Sequence, residues 1–89
     1  MRQLRATGRF ERRLATFLKR HPELEDSVTS AIDALASDKR PVSLRVHKLH
    51  GVLAGCFAAR IGQAYRLVFV VEPDALGLID IGSHDDVYR

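Results

Sequence analysis

One cysteine, three prolines and no tryptophan stand among the 89 residues of this chain. A lone Cys56 cannot close an internal disulfide and has no CxxC partner, which excludes a disulfide framework and a cysteine-rich zinc site. Long apolar runs are missing too: the longest, residues 67–71, has five members, whereas a bilayer span needs about 20. Residues 1–5 lead into no apolar signal segment, so a cytoplasmic chain is the expectation. There is no internal repeat, low-complexity tract or linker, and residues 1–89 are read as a single domain. What is present is ordinary globular composition, 46% apolar and 28% charged, which argues against disorder and against fibrous or coiled-coil architectures. A chain this short buries only about 60 to 65% of its unfolded surface, so its core is thin but feasible.

The charge has a kind and a direction. Eleven of the 14 basic residues are arginine, whose planar fork suits phosphate better than the point charge of lysine. Residues 1–20 carry a net +6, residues 21–71 a net +1 and residues 72–89 a net −4. A basic N-terminal part with a sequence pI near 9.5 points to a polyanionic partner, most simply RNA or DNA. The plain alternative is a solvated helix face.

The hydrophobic period changes once along the chain. Phe10, Leu14, Phe17 and Leu18 form the stripe of an amphipathic helix that His21-Pro22 ends. Pro22 suits the start of a second helix, whose stripe is Leu24, Val28, Ala31, Ile32 and Leu35, with Glu23, Glu25 and Asp26 on its first turn. Residues 37–56 break the pattern and read mostly as loop, with a short strand at residues 43–46. Then the spacing becomes two: Phe57, Ala59 and Ile61 alternate, Gly62-Gln63 turns, and Tyr65, Leu67, Phe69 and Val71 alternate. After a turn at Pro73-Asp74, residues 76–81 form a last strand. The expected fold is α+β: an N-terminal helical hairpin packed on an antiparallel meander, with a small second core on the far side of the sheet.

Chemistry gathers where these elements end. His47-Lys48-Leu49-His50-Gly51 precedes the first long strand, and Gly82-Ser83-His84-Asp85-Asp86-Val87-Tyr88 follows the last. If the meander brings His47 and His84 together, two imidazoles supply base and acid for attack of an RNA 2′-OH on its neighbouring phosphate. Arg60 and Arg66, on the strands between, are the cations for the charged phosphate, and Lys48, Tyr65, Arg66 and Tyr88 are the candidate RNA contacts. Each has a plainer reading. His47 ties a loop to a carbonyl, His84 caps a turn, Arg66 covers the sheet with its stem, Tyr65 is core with a wet hydroxyl, and Tyr88 is a frayed end. His47 and His50 have a spacing that suits zinc but lack a third ligand cluster, so no metal or other cofactor is expected. Asp80 alternates with Leu76 and Leu78 and needs a partner if buried.

Four segments carry a resemblance. His47-Lys48-Leu49-His50-Gly51, Leu53-Ala54-Gly55-Cys56-Phe57, Tyr65-Arg66-Leu67-Val68-Phe69 and the Ile79 to Tyr88 tail resemble, in order, the RelE/ParE superfamily of bacterial toxin-antitoxin toxins, nearest to the RelE/YafQ-like mRNA interferases. That resemblance covers residues 9–88. It implies a RelE-like fold, metal-independent cleavage of mRNA on the translating ribosome, and neutralisation by a cognate antitoxin in a hetero-oligomer. Carried over singly, the loop histidine is His47, the tail histidine is His84 and the terminal aromatic is Tyr88. Arg60 stands where the YafQ type has a histidine, Ala64 where it has an acidic residue, and Asp80 where it has an arginine. The resemblance leaves two further readings beside the ribonuclease: a ParE-like inhibitor of DNA gyrase that performs no chemistry, and an inactive relative that only binds its antitoxin.

Overall fold

The computed structural model describes residues 1–88, the side chain of Tyr88 excepted. The chain opens on a strand, β1 (Gln3–Ala6), where none is expected from hydrophobic period. All four of its residues are exposed, so it carries no apolar alternation. Backbone bonds hold it instead: it pairs in parallel with the start of the last strand, and the Arg2 and Gln3 N–H groups donate to Ala36 and Asp74 carbonyls at 2.8 and 3.0 Å.

Helix α1 (Gly8–Arg20) begins where the Thr7 side chain accepts the Phe10 N–H and ends at His21, before Pro22. Pro22–Leu24 forms a 3-10 turn that leads into α2 (Glu25–Ala36), so the hairpin is as its stripes suggest. Phe10 and Phe17 of α1 and Val28, Ala31 and Leu35 of α2 enter one core with Ala59, Ile61, Leu67, Phe69, Leu76 and Ile81 of the sheet. Among the described residues no helix is long and apolar enough to cross a membrane.

The strand expected at residues 43–46 is a 3-10 turn, Val42–Leu44, followed by Arg45 in the left-handed region at φ 46°. Pro41 and that left-handed residue interrupt extension, and the strand comes two residues later as β2 (His47–Lys48). Then β3 (Phe57–Ile61), β4 (Tyr65–Val71) and β5 (Ala75–Ser83) form the meander. The five strands lie in the order β1-β5-β4-β3-β2, antiparallel except for β1 on β5. The sheet is therefore mixed, not a pure antiparallel meander.

The tail folds into a short helix, α3 (His84–Tyr88). Ser83 and Asp86 cap it reciprocally: the Asp86 N–H donates to Ser83 Oγ and the Ser83 N–H to Asp86 Oδ2, both at 3.2 Å. This is the S-x-x-D form of a capping box, a signal already present in Ser83-His84-Asp85-Asp86.

Candidate functional site

Residues directly paired across strands point to the same face. The helices therefore cover the face that carries Phe57 with Phe69, Ala59 with Leu67, and Ile61 with Tyr65. The opposite, open face carries His47 with Ala58, Ala58 with Val68, and a row of Arg60, Arg66 and Gly82. Helix α3 lies over this open face at the Gly82 row: a Cβ built on Gly82 would stand 2.9 Å from the Asp86 Cβ. Val87 of this helix is buried, and so are Ala58 and Val68 on this face of the sheet.

Strand order decides which candidates meet. His47 on β2 and His84 at the exit of β5 have β3 and β4 between them, three strand spacings or roughly 14 Å measured across the sheet alone. The two imidazoles do not share a sheet edge, because β2 is an edge strand and β5 lies inside the sheet. They stand instead to either side of the Arg60–Arg66 cross-strand pair.

Each side chain has a defined anchor. His47 Nδ1 lies 3.0 Å from the Arg45 carbonyl, which can only accept, so the neutral ring carries its proton on Nδ1 and leaves Nε2 as a lone pair. Arg60 donates from Nε to the Gly62 carbonyl at 3.0 Å and from Nη2 to Gln63 Oε1 at 2.5 Å. Arg66 donates from Nη1 to the Tyr65 carbonyl at 2.9 Å. Both arginines thus fold toward the β3–β4 turn, the end of the sheet from which His84 departs. The imidazole of His84 is exposed, with Nδ1 3.8 Å from Asp85 Oδ1.

Two expected RNA contacts lie elsewhere. Lys48 pairs with Phe57 and so sits on the helix side of the sheet edge, away from His47. Tyr65 also faces the helices: its ring meets Phe17 edge-on at 5.1 Å and His21 at 4.6 Å. The side chain of Tyr88 lies outside the described residues. Sequence reasoning missed His21, whose place beside Pro22 reads only as a helix end.

Asp80 is buried and bound. Arg13 of α1 forms an ion pair with it, Arg9 approaches to 3.6 Å, and its Oδ1 accepts the Ile81 N–H at 2.8 Å. Among the described residues, no group of three His, Cys, Asp or Glu side chains is arranged to hold a metal ion.

Known proteins sharpen this picture. The family model described as "Bacterial toxin of type II toxin-antitoxin system, YafQ" matches residues 2–89. Among solved structures, YafQ from E. coli strain BL21(DE3) superposes with a TM-score of 0.88 at 16% identity, each chain covered in full. The E. coli DinJ-YafQ toxin-antitoxin complex matches with a TM-score of 0.87 at 18% identity, covering 99% of this chain and 98% of that one. A copper-bound mutant toxin from Helicobacter pylori matches at 0.86 and 24% identity, covering 99% and 100%. At these identities the structural likeness is one of fold. No curated protein matches the chain in sequence.

Proposed function

Because the chain belongs to the YafQ family of bacterial type II toxin-antitoxin toxins, we propose that it is a ribosome-dependent mRNA endoribonuclease held in check by a cognate antitoxin. One observation carries this reading: a cross-strand arginine pair, Arg60 and Arg66, lies on the open face with an imidazole to either side. A phosphodiester seated over the arginines has its attacking and leaving oxygens on opposite sides, as in-line displacement requires. His47, with Nε2 free to accept, takes the proton of the 2′-OH. That oxygen bonds to phosphorus, the bond to the 5′-oxygen breaks, and His84 in its protonated form gives its proton to that leaving oxygen. Arg60 and Arg66 neutralise the charge gathered on the phosphate in between. The products are a 2′,3′-cyclic phosphate and a free 5′-hydroxyl, and the chemistry consumes nothing else.

The test is mRNA cleavage in a purified translation system. His84→Ala is expected to fold normally and to slow cleavage by about 10² to 10⁴. An unchanged rate would remove His84 from the mechanism.

A second reading is favoured by a different observation. Ala64 offers no carboxylate, and Asp80 binds Arg9 and Arg13 instead of presenting a cation to the open face. A chain with those changes suits inhibition of DNA gyrase by binding alone. Inhibition of supercoiling without mRNA cleavage would establish that reading, and failure of both assays would leave an inactive antitoxin-binding relative.

A further inference from the structure

The pairing of β1 with β5 stops at Ala6 and Leu78, and beyond it, among the described residues, side chains and not a strand meet the edge of β5: Arg13 donates to the Ile81 carbonyl at 3.4 Å and the Ile81 N–H donates to Asp80. Along that edge, α1 and α3 bound a hollow of about 490 Å³. Its walls include Arg9, Arg12, Arg13 and Arg20, which recur at helical spacing and so share one face of α1. Its floor includes His21 and Tyr65, ring centroids 4.6 Å apart, with Phe17 against Tyr65.

The charges there are not balanced. Asp80 holds Arg9 and Arg13, whereas Arg12 and Arg20 are exposed and, among the described residues, form no ion pair. Asp80 itself does not line the hollow; Asp86 does, and it accepts the Ser83 N–H through Oδ2. Four guanidinium groups against two carboxylates leave an excess of positive charge at the wall of a cavity large enough for more than a phosphate.

We infer that this hollow binds a segment of single-stranded nucleic acid, its phosphates on Arg12 and Arg20 and one base against the His21–Tyr65 floor. Cations beside an aromatic surface are what a strand with unpaired bases needs, since every base has a face to stack and every linkage a charge to neutralise. A duplex hides those base faces. An acidic peptide would use the arginines but leave the aromatic floor without a role. Arg12 and Arg20 are eight residues apart on one helix, about 12 Å, so they serve successive parts of a strand and not a single anion. The inference does not depend on cleavage at the open face, because Arg60 and Arg66 lie on β3 and β4, inside the sheet from this edge.

A short fluorescent oligodeoxythymidylate tests it by anisotropy over a salt series, since DNA lacks the 2′-OH and survives a ribonuclease. Arg12→Ala combined with Arg20→Ala should weaken binding about tenfold at low salt. It should also flatten the slope of log K against log salt by about 1.4, the loss of two phosphate contacts on a single strand. His21→Leu should weaken binding about tenfold and leave the slope unchanged, because stacking releases no counterions. If His21→Leu lowers thermal stability, the exposed double variant decides. Unaltered affinity and slope in the double variant would overturn the site. So would an acidic peptide that competes as well as the oligonucleotide while His21→Leu has no effect. Neither result touches His84-dependent mRNA cleavage, which is measured separately.

Discussion

Asp80 shows how one residue changes what its neighbours do. A carboxylate that is almost wholly buried has lost its water, and here it recovers the loss through Arg13, Arg9 and the Ile81 N–H. Asp80→Asn keeps the shape and removes the charge, leaving Arg13 without its counter-ion and with a buried Nε that has no other hydrogen-bond partner. Because Arg13 is partly exposed, the expected cost is about 2 kcal/mol, below that of a fully buried pair. Urea unfolding measures it. Asp80→Arg should cost more, by setting three cations together, and Arg13→Asp added to it should recover part of the loss. If Asp80→Asn unfolds at the wild-type midpoint, the cluster contributes nothing to stability.

The two candidate imidazoles are also a matter of single residues. If His47 and His84 serve one phosphate, each is useless without the other, and their losses do not add. His47→Ala with His84→Ala should then cleave mRNA about as slowly as the worse single variant. A double variant slowed by the product of the two single factors would mean that they act at separate places.

At the scale of elements, α3 depends on a glycine it does not contain. Gly82 leaves no side chain under α3, and a methyl group there would stand 2.9 Å from the Asp86 Cβ and 3.0 Å from Arg13 Nη2. The arginine end can swing away, but the Asp86 Cβ moves only with its helix. Gly82→Ala should therefore displace α3 and the His84 that begins it. The stability loss expected of such overpacking is about 1 to 3 kcal/mol, accompanied by a fall in mRNA cleavage under conditions where the variant is fully folded. Full activity with an unchanged melting temperature would show that α3 does not rest on this contact.

The same elements explain what the sequence discloses and what it hides. Helices α1 and α2 each bury one face, and strands β3, β4 and β5 bury every second residue against them, so Phe10, Phe17, Val28, Leu35, Leu67 and Phe69 announce these elements by period. Strand β1 buries nothing and is held through its backbone, so it leaves no hydrophobic trace. Helix α3 is too short to show a period, and its sign is the Ser83–Asp86 cap. Of the candidate site, His47, Arg60 and Arg66 share the open face by strand alternation, which is readable. That Lys48 and Tyr65 face the other way is readable too, once register is known; the order of strands, which sets β3 and β4 between His47 and His84, is not.

For the whole molecule, folding brings the basic beginning of the chain against its acidic end. Arg9 and Arg13 meet Asp80, and Arg5 comes within 3.9 Å of Glu72. Such pairing accounts for only part of the N-terminal charge, and Arg12 and Arg20 remain outside it. An antitoxin that silences this toxin by covering its chemistry must therefore bring acidic side chains to the arginines and bulk to the open face. Strand addition has little to build on at β2, which is two residues long, whereas the solvent-facing edge of β1 is four residues long and carries Arg5. A helix or extended segment laid across the open face meets the requirement better. In a saturated complex, carbethoxylation of His84 should fall at least about tenfold relative to the free toxin, as expected for an imidazole removed from water by a bound chain. Peptide mapping of the modified protein reads this residue by residue. If His84 reacts equally fast in the complex and in the free toxin while mRNA cleavage is abolished, the antitoxin acts by keeping the toxin off the ribosome and not by masking its catalytic groups.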